Sequence, residues 1–550
     1  MLNKTPWKRK LPNPQTSEII QRHLSLFDLV AVGVGGTVGS GIFVLCGLIA
    51  REYSGPATCF SWVISGLAAA LSGLCYAEMS ALMPVSGSAY VYVYATVGEL
   101  PALIAGGCVS LEYVIAGAAV ARSWGDKCVE WLSVELGVSR SLTDLLTPGL
   151  NFNPLALLIS MTATTLLLKG VKESKAVTNF FTFAKVGLVL FFILGGFWFY
   201  NPANQTPLLP SEFGVSGVLR GATSSFFGYL GYDEICCLAG EAKNPRQNLP
   251  RAVLITLTLV SSLYVLAAIS LTGMQHYTEI SETSGFSLAF YSNNAGWAAQ
   301  IAAAGEVITL PLVVLISLLA QPRLFAAMSA DGLLPAVFCE VEDGNLRKAI
   351  IISGCIMGLV ASFVPFTNLN DAISAGVLVS FSLTDTSLVI VRRQNEHLVK
   401  NLMLSFNLLS FAVAVLISHG GGGVWGAIGG GGILVLIGIA WKIHRDCGEK
   451  TGGRGEFRVP CVPFLPCVAI FINWYLISQL ELAGLALLVV YMGGIVVYYF
   501  LSPNRVPQSE EVIGGGRVES DAKELLSSFA RSDDDELDVP NADDIEMTTM

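Results

Sequence analysis

Fourteen times along this chain a run of about 20 predominantly apolar residues is bounded by a short polar loop. That recurrence limits the possible folds more than any single motif does. A run of this length matches the hydrocarbon thickness of a bilayer. Inside hydrocarbon every backbone N–H and C=O must be paired within its own segment, so the runs are expected as helices. They fall between residues 26 and 501, and those most used below are 26–50, 98–121, 217–240 and 296–328. Pro311 and Pro322 lie inside the last of these and are expected to interrupt it. With 53% hydrophobic and 13% charged residues, a chain of 550 residues has no soluble reading.

Loop charge supports the count. With the N-terminus placed in the cytosol, alternate loops carry Lys169, Lys172 and Lys175, then Lys243, Arg246 and Arg251, then Arg323, Arg347 and Lys348. The series continues with Arg392, Arg393 and Lys400, whereas the opposite loops hold only Arg51, Arg122, Lys127 and Arg140. This is the asymmetry that the positive-inside rule requires. The expected organisation is a basic cytosolic arm (1–24), a ten-helix core (25–391), four further helices (392–502) and an acidic, disordered cytosolic tail (503–550). The arm has no apolar core before Leu24 and is not a signal peptide. The tail holds 13 acidic and 4 basic residues, so the formal net charge of −10 belongs almost wholly to it. Within it, Asp521 to Leu526 fits an acidic dileucine signal for a sorting adaptor at Leu525 and Leu526; an incidental leucine pair in a solvated tail is the other reading.

Other residue classes exclude more than they propose. Of twelve cysteines only Cys128 falls in an expected outside loop, so they read as small packing residues. The five histidines sit in or near loops, and no nucleophile–base pair, phosphate loop or zinc motif appears. No enzyme, cofactor, metal or nucleic-acid reading gains support. Asn204 heads a glycosylation sequon, with Pro207 following directly behind it.

Two runs depart from a plain apolar helix. Val32 to Leu48 reads VGVGGTVGSGIFVLCGL and holds six glycines, each of which weakens a helix by roughly 1 kcal/mol relative to Ala. Either it is a small-residue face for close helix packing, or the helix breaks at mid-membrane and frees backbone groups to hold a ligand. Five segments later, Ser224 to Gly240 reads SSFFGYLGYDEICCLAG, with Gly228 and Gly231 around Tyr229 and Leu230 and the pair Asp233-Glu234 following. Interruptions at matching places point to an inverted repeat with its site at the midplane, and this favours the break. No residue-level repeat is visible between the two halves.

At these residues the chain resembles a known family. LSLFDLVAVGVGGTVGSGIFVLCGLIA, GLCYAEM, PVSGSAYVYVYATVGEL, EYVIAGAAVARSW, SFFGYLGYDEICCLAGEAKNPRQNLPRAV, QPRLFAAMSADGLLP and FRVPCVPFLP look like the cationic amino acid transporters of the amino acid–polyamine–organocation superfamily. The resemblance spans nearly all of 22–501. It implies an all-α LeuT-type fold with helices 1–5 and 6–10 as inverted repeats, helices 1 and 6 broken, and four peripheral helices. It also implies sodium-independent transport of amino acids by alternating access, with arginine, lysine and ornithine the first guess and proton coupling left open. The alternatives are neutral amino acids or polyamines, and an amino acid transceptor with little flux. The plasma membrane and a vacuolar or endosomal membrane are both open as addresses.

The expected site follows from what an α-amino acid presents. Its carboxylate needs donors, which the amides of Gly39, Ser40 and Gly41 and the Ser40 hydroxyl offer at the start of the outer half-helix. Its ammonium needs acceptors, expected near Thr37, with the carbonyls of Phe227 and Leu230 added by the resemblance. Gly41→Val is expected to abolish binding and leave the protein folded. Glu112, in mid-helix, is expected to counter a cationic side chain or carry a proton, against the reading of a neutral acid that orients helices. Glu306 is open to helix packing as much as to function. Lys185 lies some eight residues inside its helix and is expected to be buried rather than snorkelling. It departs from the uncharged residue of many cationic members and resembles superfamily lysines that stand where a coupling sodium ion binds.

Overall fold

The computed structural model describes residues 6–7, 9, 24–39, 41–85, 87–134, 137–139, 146, 152–169, 175–342, 346–364, 366–419, 424–450, 457–480 and 482–502. Ser40, most of the N-terminal arm and the tail with Leu525 and Leu526 therefore lie outside the described residues. All fourteen expected segments contain helix. Nine helical stretches among the described residues are long and apolar enough to cross a membrane, the first running through both the first and second spans. The fourth (Pro154–Leu168), ninth (Arg347–Phe363) and thirteenth (Phe464–Ser478) are shorter, and the sixth is interrupted. Among the described residues there is no strand, only the isolated bridges Leu24–Ala242 and Arg393–Glu449.

Outward faces carry large apolar side chains such as Leu67, Phe180, Leu194 and Trp198. So much exposed apolar surface is a liability in water and a match to lipid. The inner core is tyrosine- and glycine-rich, with Tyr76 of the second span packed edge to face on Tyr92, on Tyr232 of the sixth span and on Phe381 of the tenth.

Three details differ from expectation. The third span does not stop near residue 121 but continues as Ala116–Val134, so Arg122, Lys127 and Cys128 are helical rather than loop residues. Lys127 is buried there because its charge is met by an ion pair with Glu306 of the eighth span. Short additional helices, Ala89–Thr96 and Gly285–Ser292, precede the third and eighth spans. The eighth span runs unbroken from Gly296 to Ala330 through both prolines. Pro311 has no N–H to offer the carbonyl of Val307, and the Trp124 indole of the third span donates to that carbonyl instead, at 2.8 Å. The helix survives because its neighbour supplies the missing donor.

The first span starts on a capping box: Ser25 N donates to Asp28 Oδ2 at 2.9 Å, and Asp28 N donates back to Ser25 Oγ at 3.4 Å. Just before it, Leu24 N donates to Glu241 O at 2.9 Å and Lys243 N donates to Leu24 O at 2.8 Å. The start of the first span is thus tied by backbone to the end of the sixth.

Candidate functional site

Both glycine stretches break. The first span is helical over Leu26–Thr37, turns extended at Val38, and resumes as a wide π-type turn at Gly41–Leu45, followed by α-helix over Cys46–Ile49 and a second wide turn over Ala50–Ser54. The sixth runs over Gly214–Ser225, tightens through Phe226–Tyr229, is extended at Leu230, and resumes only at Glu234–Cys237. Gly231 has φ +108°, a region that L side chains avoid, and a Cβ there would lie 3.0 Å from Gly36 C and Thr37 N. The two breaks therefore face each other at van der Waals distance.

The packing reading of the glycines holds as well. A Cβ on Gly33 would meet the Ile235 side chain at 2.5 Å, and one on Gly36 would meet Glu234 Oε2 at 2.6 Å. A Cβ on Gly41 would lie 2.4 Å from Gly228 Cα, and one on Gly228 would strike the Trp62 ring at 2.7 Å. Backbone meets backbone at Gly41, where nothing can move aside. Gly41→Val is thus no clean probe of binding, contrary to expectation, because it pushes the two broken spans apart.

One cavity is lined by Thr37, Gly39 and Gly41 of the first span, by Phe227, Leu230, Gly231 and Glu234 of the sixth, by Glu112 of the third, and by Val313 and Ser317 of the eighth. Every expected binding residue among those described lines it. Gly41 opens the outer half-helix there, so the first amides of that half-helix and its positive end favour a carboxylate. At the opposite lip, the carbonyl oxygens that end the inner half-helix are partly taken. Lys185 Nζ donates to Gly35 O at 2.7 Å and Tyr264 OH donates to Thr37 O at 2.9 Å. Tyr264 is braced by Trp62, ring centroids 4.8 Å apart, while Tyr229 OH donates to Trp62 O at 2.8 Å. Lys185 is fully buried and stands behind the first span, outside the cavity lining.

Glu112 sits in a third wide turn, Leu111–Ile115, at 2% exposure. Such turns gather at functional sites. No hydroxyl, amine or guanidinium among the described residues donates to Glu112; its carboxyl group lies instead against the Asp233 carboxyl and the Gly231 backbone. Its charged neighbours are Asp233 and Glu234; Asp233 accepts from Tyr113 OH at 3.0 Å. Sequence reasoning used Asp233 and Glu234 only to mark the break and so missed that they bring two further carboxylates to Glu112. These three do not form a metal-ligand set among the described residues.

Two more buried acids went unremarked. Glu78 Oε1 accepts from Arg392 at 2.6 Å, and its Oε2 accepts from Val459 N at 2.6 Å. Asp385 Oδ2 accepts from Ser72 at 3.0 Å and Asn473 at 3.3 Å. Both lie in apolar runs, so the cost that singled out Glu112 applied equally to them. The Asn204 amide donates to Gly273 O at 2.9 Å, and all twelve cysteines are free.

A model of the amino acid permease family matches residues 24–441, and a model of the C-terminus of these permeases matches residues 457–504. The chain is 32% identical to the cationic amino acid transporter 3, mitochondrial, of Arabidopsis thaliana, over 88% of this chain and 90% of that protein. It is 34% identical to the methylthioribose transporter of Bacillus subtilis (strain 168), over 74% of this chain and 87% of that protein. It is also 34% identical to the branched-chain amino acid permease BcaP of the same bacterium, over 69% of this chain and 83% of that protein.

Proposed function

The chain belongs to the amino acid permease family, and from that premise we propose that it is a cationic amino acid transporter that carries arginine, lysine and ornithine across a membrane by alternating access. The observation that carries this reading is the buried carboxyl group of Glu112 in the wall of a cavity built from both helix breaks. The breaks recognise what all α-amino acids share, carboxylate at the Gly41 end and ammonium at the Thr37 end. Glu112 adds a counter-charge for a second cation, which is costly to bury alone.

Lys185 is the coupling group in this reading. Its amine holds Gly35 O, one turn before the break. Loss of its proton changes that link from a charge-assisted to a weaker neutral bond, loosening the inner half-helix from the fifth span. Transport is then independent of sodium and driven by an inward proton gradient, with both chain ends in the cytosol. A neutral substrate is the second reading, favoured by the relatives named for methylthioribose and branched-chain amino acids.

Uptake into proteoliposomes, competed by a panel of amino acids and polyamines, decides among these. The expected result is uptake of basic amino acids that is indifferent to sodium, raised by an inward proton gradient and strongly reduced in Lys185→Met. Binding with negligible flux would mean a transceptor instead. Uptake blind to the pH gradient and to Lys185→Met would make Lys185 structural.

A further inference from the structure

We infer that Glu234 is a second specificity-determining carboxylate, shared between the buried amine of Lys185 and the cationic side chain of the substrate. This deepens the transport reading above and rests on it. Glu234 opens the inner piece of the sixth span, is buried at 4% exposure and lines the cavity beside Glu112. Its carboxylate lies flat against the first span because Gly36 has no Cβ: Oε2 is 2.6 Å from where that atom would stand. The neighbouring residue is Gly35, whose carbonyl Lys185 holds at 2.7 Å. Glu234 and Lys185 thus engage adjacent residues of the first span, close enough for their opposite charges to interact. From the eighth span, Ser317 Oγ reaches Glu234 Oε1 at 3.5 Å.

Charge counting gives these positions a role. Two carboxylates line the cavity, while Lys185 stands behind the first span and is not part of the lining. Asp233 is not in the lining: Tyr113 donates to it, and it lies against Glu112 from behind the cavity wall. Lys185 offsets Glu234 from behind, which leaves Glu112 to be met from the cavity side. A substrate bearing a second positive charge enters between the two acids and draws Glu234 towards itself, relaxing its hold on Lys185. A neutral substrate of the same length gains nothing from either acid and leaves Lys185 as it was. The preference for charge and the state of the coupling amine thus pass through one side chain.

The test compares equilibrium binding of arginine and of citrulline, which matches arginine in length and lacks its charge, to the purified full-length protein. The wild type is expected to prefer arginine. Glu234→Gln should cut the arginine-to-citrulline preference by about tenfold or more, with citrulline affinity held within about twofold. Glu234→Asp, which keeps the charge, should recover part of the preference, something a purely structural role does not produce. Equal weakening of both ligands in Glu234→Gln, or an unchanged ratio, overturns the assignment while leaving the transport reading intact. A wild type that binds citrulline but not arginine overturns it as well. A wild type that binds no amino acid removes the transport reading, and the inference falls with it.

Discussion

At Glu112 the expense of burying a carboxylate and the need to recognise a second positive charge meet on one side chain. Its buried carboxyl group lies beside those of Asp233 and Glu234, and glutamine keeps its shape while removing its charge. Glu112→Gln should therefore fold normally and weaken arginine or lysine uptake far more than uptake of any neutral amino acid. The loss reaches roughly 2–5 kcal/mol if the pair is fully desolvated. Equal loss for charged and neutral substrates would sink the counter-charge role; a pH profile altered alike for every substrate would make Glu112 a proton carrier. Glu112 and Lys185 could be found from sequence because an ionisable group in an apolar run is costly wherever it sits. Their partners could not. Glu78 is neutralised by Arg392 and capped by Val459 N, each more than 300 positions away, and no local pattern joins residues that far apart.

Helices obey local rules that a sequence displays, and so the spans and both breaks were legible. The eighth span is the instructive failure. Two prolines predicted an interruption, yet the carbonyl freed by Pro311 is satisfied from the third span by Trp124. If that bond replaces the missing ladder bond, Trp124→Phe should cost about 1–3 kcal/mol, the penalty for an unpaired buried carbonyl. Adding Pro311→Ala restores an N–H within the helix, and the double variant should lose much less. Thermal unfolding in detergent reads both, and an identical cost of Trp124→Phe with Pro or Ala at position 311 would contradict the compensation. The third span was misjudged at its end for a related reason. Lys127 looks like a helix stop beside a loop until Glu306, from another span, takes its charge.

Across the whole molecule, buried ion pairs bind distant segments: Lys127 with Glu306 joins the third span to the eighth, and Arg392 with Glu78 joins the tenth to the second. Breaking such a pair from one side strands a charge. Glu306→Gln should destabilise by roughly 3–5 kcal/mol, whereas Lys127→Met combined with Glu306→Leu should recover most of that loss. Melting temperatures of the single and double variants test this, and a double variant no better than the single would give Glu306 a role beyond the pair. The contact of Gly41 with Gly228 sets a different kind of limit. Backbone rests on backbone there, with no side chain to trim or enlarge, so that part of the site has no means of adapting to a new cargo. Any change of substrate within this architecture has to be written on the side chains around that joint: Glu112, Ala116 and Val120 of the third span, Glu234 of the sixth, and Val313 and Ser317 of the eighth. Diversification would then proceed by refurnishing a room whose one structural joint is fixed.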